Sequence, residues 1–72
     1  MSPKLPRATA ADVARAIQRD GWYCIRQTGS HAHYRHDSKP GLVTIPMHSG
    51  KTIPPALLRS ILKQAGLSAD EL

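Results

Sequence analysis

Four histidines, His31, His33, His36 and His48, crowd into one stretch of a 72-residue chain. Arg35 and Lys51 lie among them, and the dipeptide Gly29-Ser30 comes directly before His31. Imidazole titrates near neutrality, so each ring is able to take or give a proton. Three chemistries use such a set. Zinc would draw on His31 and His33 with His48 or Cys24. Closed zinc sites have spacings such as C-x2-C or H-x3-H, and none occurs here. No metal and no cofactor is therefore expected. Triad-type nucleophilic catalysis needs an acid to orient its base, and Asp37 is the only carboxylate near the histidines. Cleavage of RNA needs least. The ribose 2′-OH is its own nucleophile, and the protein supplies a proton acceptor, a proton donor and positive charge.

On that chemistry His31 is the expected general base. It follows a glycine turn, which lets a phosphate come close to the backbone N–H groups of Gly29 and Ser30. Lys51 and Arg35 are the cations expected to neutralise charge on the phosphorane. His48 is a second acid, a positioning residue or a structural anchor, and all three roles stay open. His33 is expected to contact substrate, while Gly50 serves loop geometry. Lys39, Arg59 and Lys63 are expected to face solvent.

The charge balance fits a polyanionic partner. Ten Lys/Arg stand against five Asp/Glu, for a net charge of +5. Between Gly21 and Ala69 the cations Arg26, Arg35, Lys39, Lys51, Arg59 and Lys63 meet only Asp37. Phosphate contacts that release counterions dominate nucleic-acid affinity. Length excludes multi-domain enzymes, barrels and doubly wound folds, and one domain spanning residues 1–72 is expected. No apolar stretch reaches the roughly 20 residues that span a bilayer, and the first residues hold no apolar signal core. The single cysteine, Cys24, suits a reducing cytoplasm. Aromatic platforms are sparse, with Trp22, Tyr23 and Tyr34 and no Phe, which argues against RRM-type or OB-type binders of single strands.

Periodicity shows which elements must carry these residues. Thr9 is a good N-cap, with Asp12 at the positive end of the helix dipole. Ala10, Val13, Ala14 and Ile17 then form one helical stripe that Gly21 ends. Trp22 to Gln27 reads as a strand, Thr28-Gly29-Ser30 as a turn, His31 to His36 as a second strand and Leu42 to Pro46 as a third. Pro54-Pro55 opens a second helix bearing Leu58, Ile61, Leu62 and Ala65. Gly66 closes it, and Leu67 folds back. Ser68-Ala69-Asp70-Glu71 resembles a capping box for a helix that scarcely begins. The class is α+β, in the order α-β-β-β-α, with a three-stranded antiparallel sheet and both helices packed on one face. Period 2 then sends Ala32 and Tyr34 to the core and His31, His33 and Arg35 to the open face, with His36 half buried at the strand end.

The run Arg26-Gln27-Thr28-Gly29-Ser30-His31, then Tyr34-Arg35-His36, then Pro46-Met47-His48-Ser49-Gly50-Lys51, resembles the HicA toxins of HicAB toxin–antitoxin systems. Leu5-Pro6-Arg7 and the segment from Leu58 to Ser68 look like the same family. The resemblance implies a double-stranded-RNA-binding-domain-like fold and a small endoribonuclease, an mRNA interferase, with His31 as its active histidine. It also implies a HicB antitoxin that covers the site. The rival reading is a non-catalytic module for double-stranded RNA or DNA. Such modules grip phosphates from a basic second-helix N-terminus, where this chain has Pro54-Pro55-Ala56. A pure protein-interaction domain is a third reading, and it leaves the His31, His33 and Arg35 face unexplained.

Overall fold

The computed structural model describes residues 7–72, so Leu5 and Pro6 of the family resemblance lie outside the described residues. Helix α1 (Ala10–Asp20) starts as its sequence predicts: Asp12 N–H donates to Thr9 Oγ1 at 3.2 Å, and Thr9 N–H donates to Asp12 Oδ2 at 2.9 Å. This reciprocal capping box satisfies two donors that a helix start would otherwise leave open. The Thr9 N–H, together with the Thr9 hydroxyl, also holds the Asp12 carboxyl below its ordinary pKa.

The helix ends in a Schellman motif. Gly21 N–H reaches Gln18 O at 3.0 Å, and Trp22 N–H reaches Ile17 O at 3.0 Å. Gly21 has φ 112°, and a Cβ there would stand 2.9 Å from His36 Nε2, so both conformation and space require glycine.

Strands β1 (Tyr23–Thr28), β2 (His31–Arg35) and β3 (Val43–Pro46) form one antiparallel sheet in that order. Trp22, His36 and Leu42 fall just outside the strands that the sequence assigns them, and Thr28, assigned to the turn, ends β1. Helix α2 (Pro55–Ala65) follows, with Pro at its first position and Gly66 as its cap; Leu67 N–H reaches Leu62 O at 2.9 Å. Ser68 N–H donates to Glu71 Oε1 at 3.0 Å over a single 3₁₀ turn, Ala69–Glu71.

Both helical stripes meet the same sheet face. Val13 and Ile17 of α1 join Leu58 and Ile61 of α2 over Val43 and Ile45, all at most 1% exposed. Ala32 and Tyr34 are buried in that cluster, as alternation predicts. Among the described residues nothing forms a layer over the opposite face of the sheet.

A lock of polar contacts closes the far end. Trp22 is buried, and its Nε1–H donates to Ala65 O at 3.2 Å. The His36 ring stands edge-on to it, with centroids 5.3 Å apart. Ser38 N–H donates to His36 Nδ1 at 3.0 Å, so the ring is the Nε2–H tautomer that donates to Asp20 O at 2.8 Å. The sequence expectation for Lys39 needs correction. It is half-buried, and its Nζ donates to Asp20 Oδ2 at 2.6 Å and to Ala65 O at 3.1 Å. The turn between β2 and β3 folds back over both helix C-termini, where backbone carbonyls attract a cation. The Lys39 ammonium holds the Asp20 carboxyl below its ordinary pKa.

Candidate active site

The open face is a grid set by the strand register. Thr28 pairs with His31 and His31 with Pro46; Arg26 pairs with His33 and His33 with Thr44; Tyr23 pairs with Arg35. Cross-strand partners share a face, so these rungs put His31, His33 and Arg35 on the open side. His31 and Arg35 are exposed and His33 is half-buried.

His31 begins β2 directly after a two-residue loop. Gly29 takes φ 60° at its first position, the pattern of a type II′ hairpin. A Cβ on Gly29 would meet nothing within 4 Å, so the turn needs its positive φ and leaves the space above it open. Ser30 O accepts from Met47 N–H, tying this turn to the loop after β3. Among the described residues the His31 ring has no hydrogen-bond partner within the protein. The His33 ring has one: its Nδ1 lies 3.0 Å from Thr44 Oγ1 across the rung. His33 is thereby held in place, whereas no such contact holds the His31 ring among the described residues.

His48 is exposed in the loop at the same end of the sheet. Its backbone N–H reaches Pro46 O at 3.1 Å, and its carbonyl accepts from Lys51 N–H at 3.3 Å, closing a turn through Ser49 and Gly50. The loop walls a shallow recess of about 250 Å³ against the start of α1, lined by Thr9, Ala10, Met47, His48 and Gly50 among others. Lys51 is exposed just beyond. Arg35 sits at the other end of β2, four residues from His31, roughly 13 Å along the strand. His31, His48 and Lys51 therefore share one end of the sheet and Arg35 the other, so Arg35 stands apart from the place beside His31 where the sequence reading expects its charge. Among the described residues no three His, Cys, Asp or Glu side chains come close enough to hold a metal ion. No helix among them is long and apolar enough to cross a membrane.

Two residues reach this face that sequence reasoning missed. Strict alternation from buried Trp22 would send Cys24 and Arg26 to the helix side. The register shifts between Cys24 and Arg26, with Ile25 as the extra residue of a β-bulge. Cys24 faces the helix side opposite Tyr34, whereas Arg26 emerges on the open side opposite His33. The Cys24 thiol spans the bulge to Arg26 O at 3.6 Å. Tyr23 joins the open face beside Arg35, and its hydroxyl donates to Asp37 Oδ1 at 3.2 Å. That carboxylate raises the phenol above its ordinary pKa. A bulge has no reliable signature in a single strand, because it appears only on pairing.

Fold and face together define a class: a double-stranded-RNA-binding-domain-like α+β domain with a basic, histidine-bearing open sheet. A family model described as the HicA toxin of bacterial toxin–antitoxin systems matches residues 10–67, and the chain belongs to that family. It is accordingly a toxin whose system includes an antitoxin partner. Among curated proteins, none matches the chain.

Proposed function

We propose that this toxin is an endoribonuclease that cuts mRNA without a metal, with His31 as general base for the ribose 2′-OH. The observation that carries the reading is His31 itself. It is exposed on a basic sheet face, directly follows the Gly29-Ser30 turn, and has no hydrogen-bond partner in the protein among the described residues. Packing gives no reason for an imidazole there.

In this scheme His31 Nδ1 or Nε2 takes the 2′ proton as the oxygen attacks the adjacent phosphorus. The P–O5′ bond breaks, leaving a 2′,3′-cyclic phosphate on one product and a 5′-hydroxyl on the other. The proton for the 5′-oxygen comes from the imidazolium of His31 or from His48 at the same end of the sheet. Lys51 and the N–H groups of Gly29 and Ser30 oppose the charge that develops on the phosphorane. His33, steadied by Thr44, and Arg35 contact RNA farther along the face.

A HicB-type antitoxin inhibits by covering this cationic face, and the toxin acts in the cytoplasm, where mRNA is found. A non-catalytic duplex binder fits less well, because the first turn of α2, Pro55 to Leu58, has no basic side chain to grip a phosphate. The test is His31→Ala in purified protein, incubated with a defined RNA with and without EDTA. The parental protein yields discrete products in both conditions, and the variant yields none and is not toxic in cells. Cleavage by the variant at the parental rate would sink the assignment.

A further inference from the structure

The bond-breaking step proposed above draws only on the His31 end of the open face, and at the far half it leaves Arg35 as a general RNA contact. Three groups stand there: Tyr23 on the rung with Arg35, and Arg26 on the rung between that pair and His31. Tyr23 is 45% exposed, whereas its neighbour Trp22 is buried, so the phenol ring is presented and not packed away. Its hydroxyl is tied to Asp37 Oδ1 at 3.2 Å, which limits how much orientational freedom the ring has left to lose on binding. Arg26 makes no side-chain hydrogen bond or ion pair among the described residues, and it reaches this face only because Ile25 forms a bulge.

We propose that Tyr23, Arg26 and Arg35 form a nucleobase subsite, in which one base of a single-stranded RNA stacks on the Tyr23 ring and the two guanidinium groups hold its flanking phosphates. The proposal rests on the ribonuclease reading and adds a register to it. Single-strand binders combine these same two components, an aromatic ring for the base and cations for the backbone. Stacking tolerates any base, so the subsite sets where the strand lies and adds little sequence preference.

The register has a length. Arg35 lies roughly 13 Å along β2 from His31 at about 3.3 Å per residue. At a rise of about 3.4 Å or more per nucleotide, the stacked base is within about four nucleotides of the scissile bond.

The test measures binding of a fluorescein-labelled single-stranded RNA with 2′-fluoro sugars, which internal attack is unable to cut. Tyr23→Leu should weaken binding by roughly 5- to 150-fold, the range for losing one stacked base, while Tyr23→Phe keeps the ring and most of the affinity. Replacing nucleotides one at a time by abasic residues should reveal one position that matters to the parental protein and not to Tyr23→Leu. Equal binding by Tyr23→Leu, or identical abasic profiles for the two proteins, overturns the subsite and leaves the nuclease reading standing. Failure of the parental protein to bind RNA at all overturns both. Intact RNA binding with weakened antitoxin binding would reassign the ring to the protein partner and likewise overturn the subsite.

Discussion

The four histidines are chemically alike, but the structure gives them different surroundings, and alanine substitution should rank them in opposite orders for stability and activity. His36 sits deepest. Its Nε2–H donates to Asp20 O at 2.8 Å, its Nδ1 accepts from Ser38 N–H at 3.0 Å, and its ring meets Trp22 edge-on at 5.3 Å. Two hydrogen bonds at about 1 kcal/mol each and an aromatic contact of about 0.5–1.5 kcal/mol put His36→Ala at about 2.5–3.5 kcal/mol destabilised. A domain of this size loses roughly 4–8 °C of Tm per kcal/mol, so the melt should move down by about 10–28 °C. His33→Ala gives up one bond to Thr44 Oγ1 and should lose about 1 kcal/mol. His31→Ala and His48→Ala, both exposed, should stay within about 0.5 kcal/mol of the parent. Urea denaturation followed by far-UV circular dichroism gives the stability order, and RNA cleavage by the folded variants gives the activity order. His36→Ala should cleave normally wherever it is folded, and His31→Ala should be inert and stable. A His31→Ala variant as destabilised as His36→Ala would refute the partition, because its inactivity would then reflect unfolding.

Gly21→Ala should be destabilised by about 1–3 kcal/mol from its positive φ, with the 2.9 Å approach to His36 Nε2 adding to the loss. Gly29→Ala, which meets no neighbour, should lose less, and urea midpoints compare the two. The Asp12 and Asp20 carboxyls both have folded pKa values below the ordinary 3.8. A depressed folded pKa makes a stabilising contribution present above the unfolded value and lost as pH falls below it. Urea midpoints should therefore drop between pH 5 and pH 3, and Lys39→Met should shallow that drop by removing the Asp20 partner; an unchanged slope would rule out the pair as its source. Adding the antitoxin should protect β2 and β3 amides from hydrogen exchange, since an acidic partner is steered to a cationic face. Protection restricted to α1 and α2 would point to inhibition from a distance.

The parts of the fold that local chemistry decides were legible in the chain. Thr9 and Asp12 announce the start of α1, Gly21 and Gly66 close the helices, and Pro55 opens α2, because caps depend on neighbours within four residues. Ala32 and Tyr34 set the faces of β2 by alternation, and with them the exposure of His31 and Arg35. What depends on distant partners was not legible. The bulge at Ile25 exists only against β2, so the place of Arg26 on the open face had no local sign. Lys39 reads as one more surface cation until the turn carrying it meets Asp20 and Ala65, residues 19 and 26 positions away. The hold of Thr44 on His33 likewise arises only when β2 and β3 pair.

The central claim is internal attack by a ribose hydroxyl that His31 activates, and one substrate tests it directly. A single deoxyribose placed immediately 5′ of the scissile phosphate removes the nucleophile and keeps the phosphates that supply most of the affinity. The account predicts unchanged binding, no cleavage at that bond, and an all-RNA control that is cut equally with EDTA and ends in a 2′,3′-cyclic phosphate. A metal-activated water would cut the deoxy bond, leave no cyclic phosphate and stop on chelation. Cleavage of the deoxy-substituted bond at the control rate would contradict the account and take the general-base role away from His31.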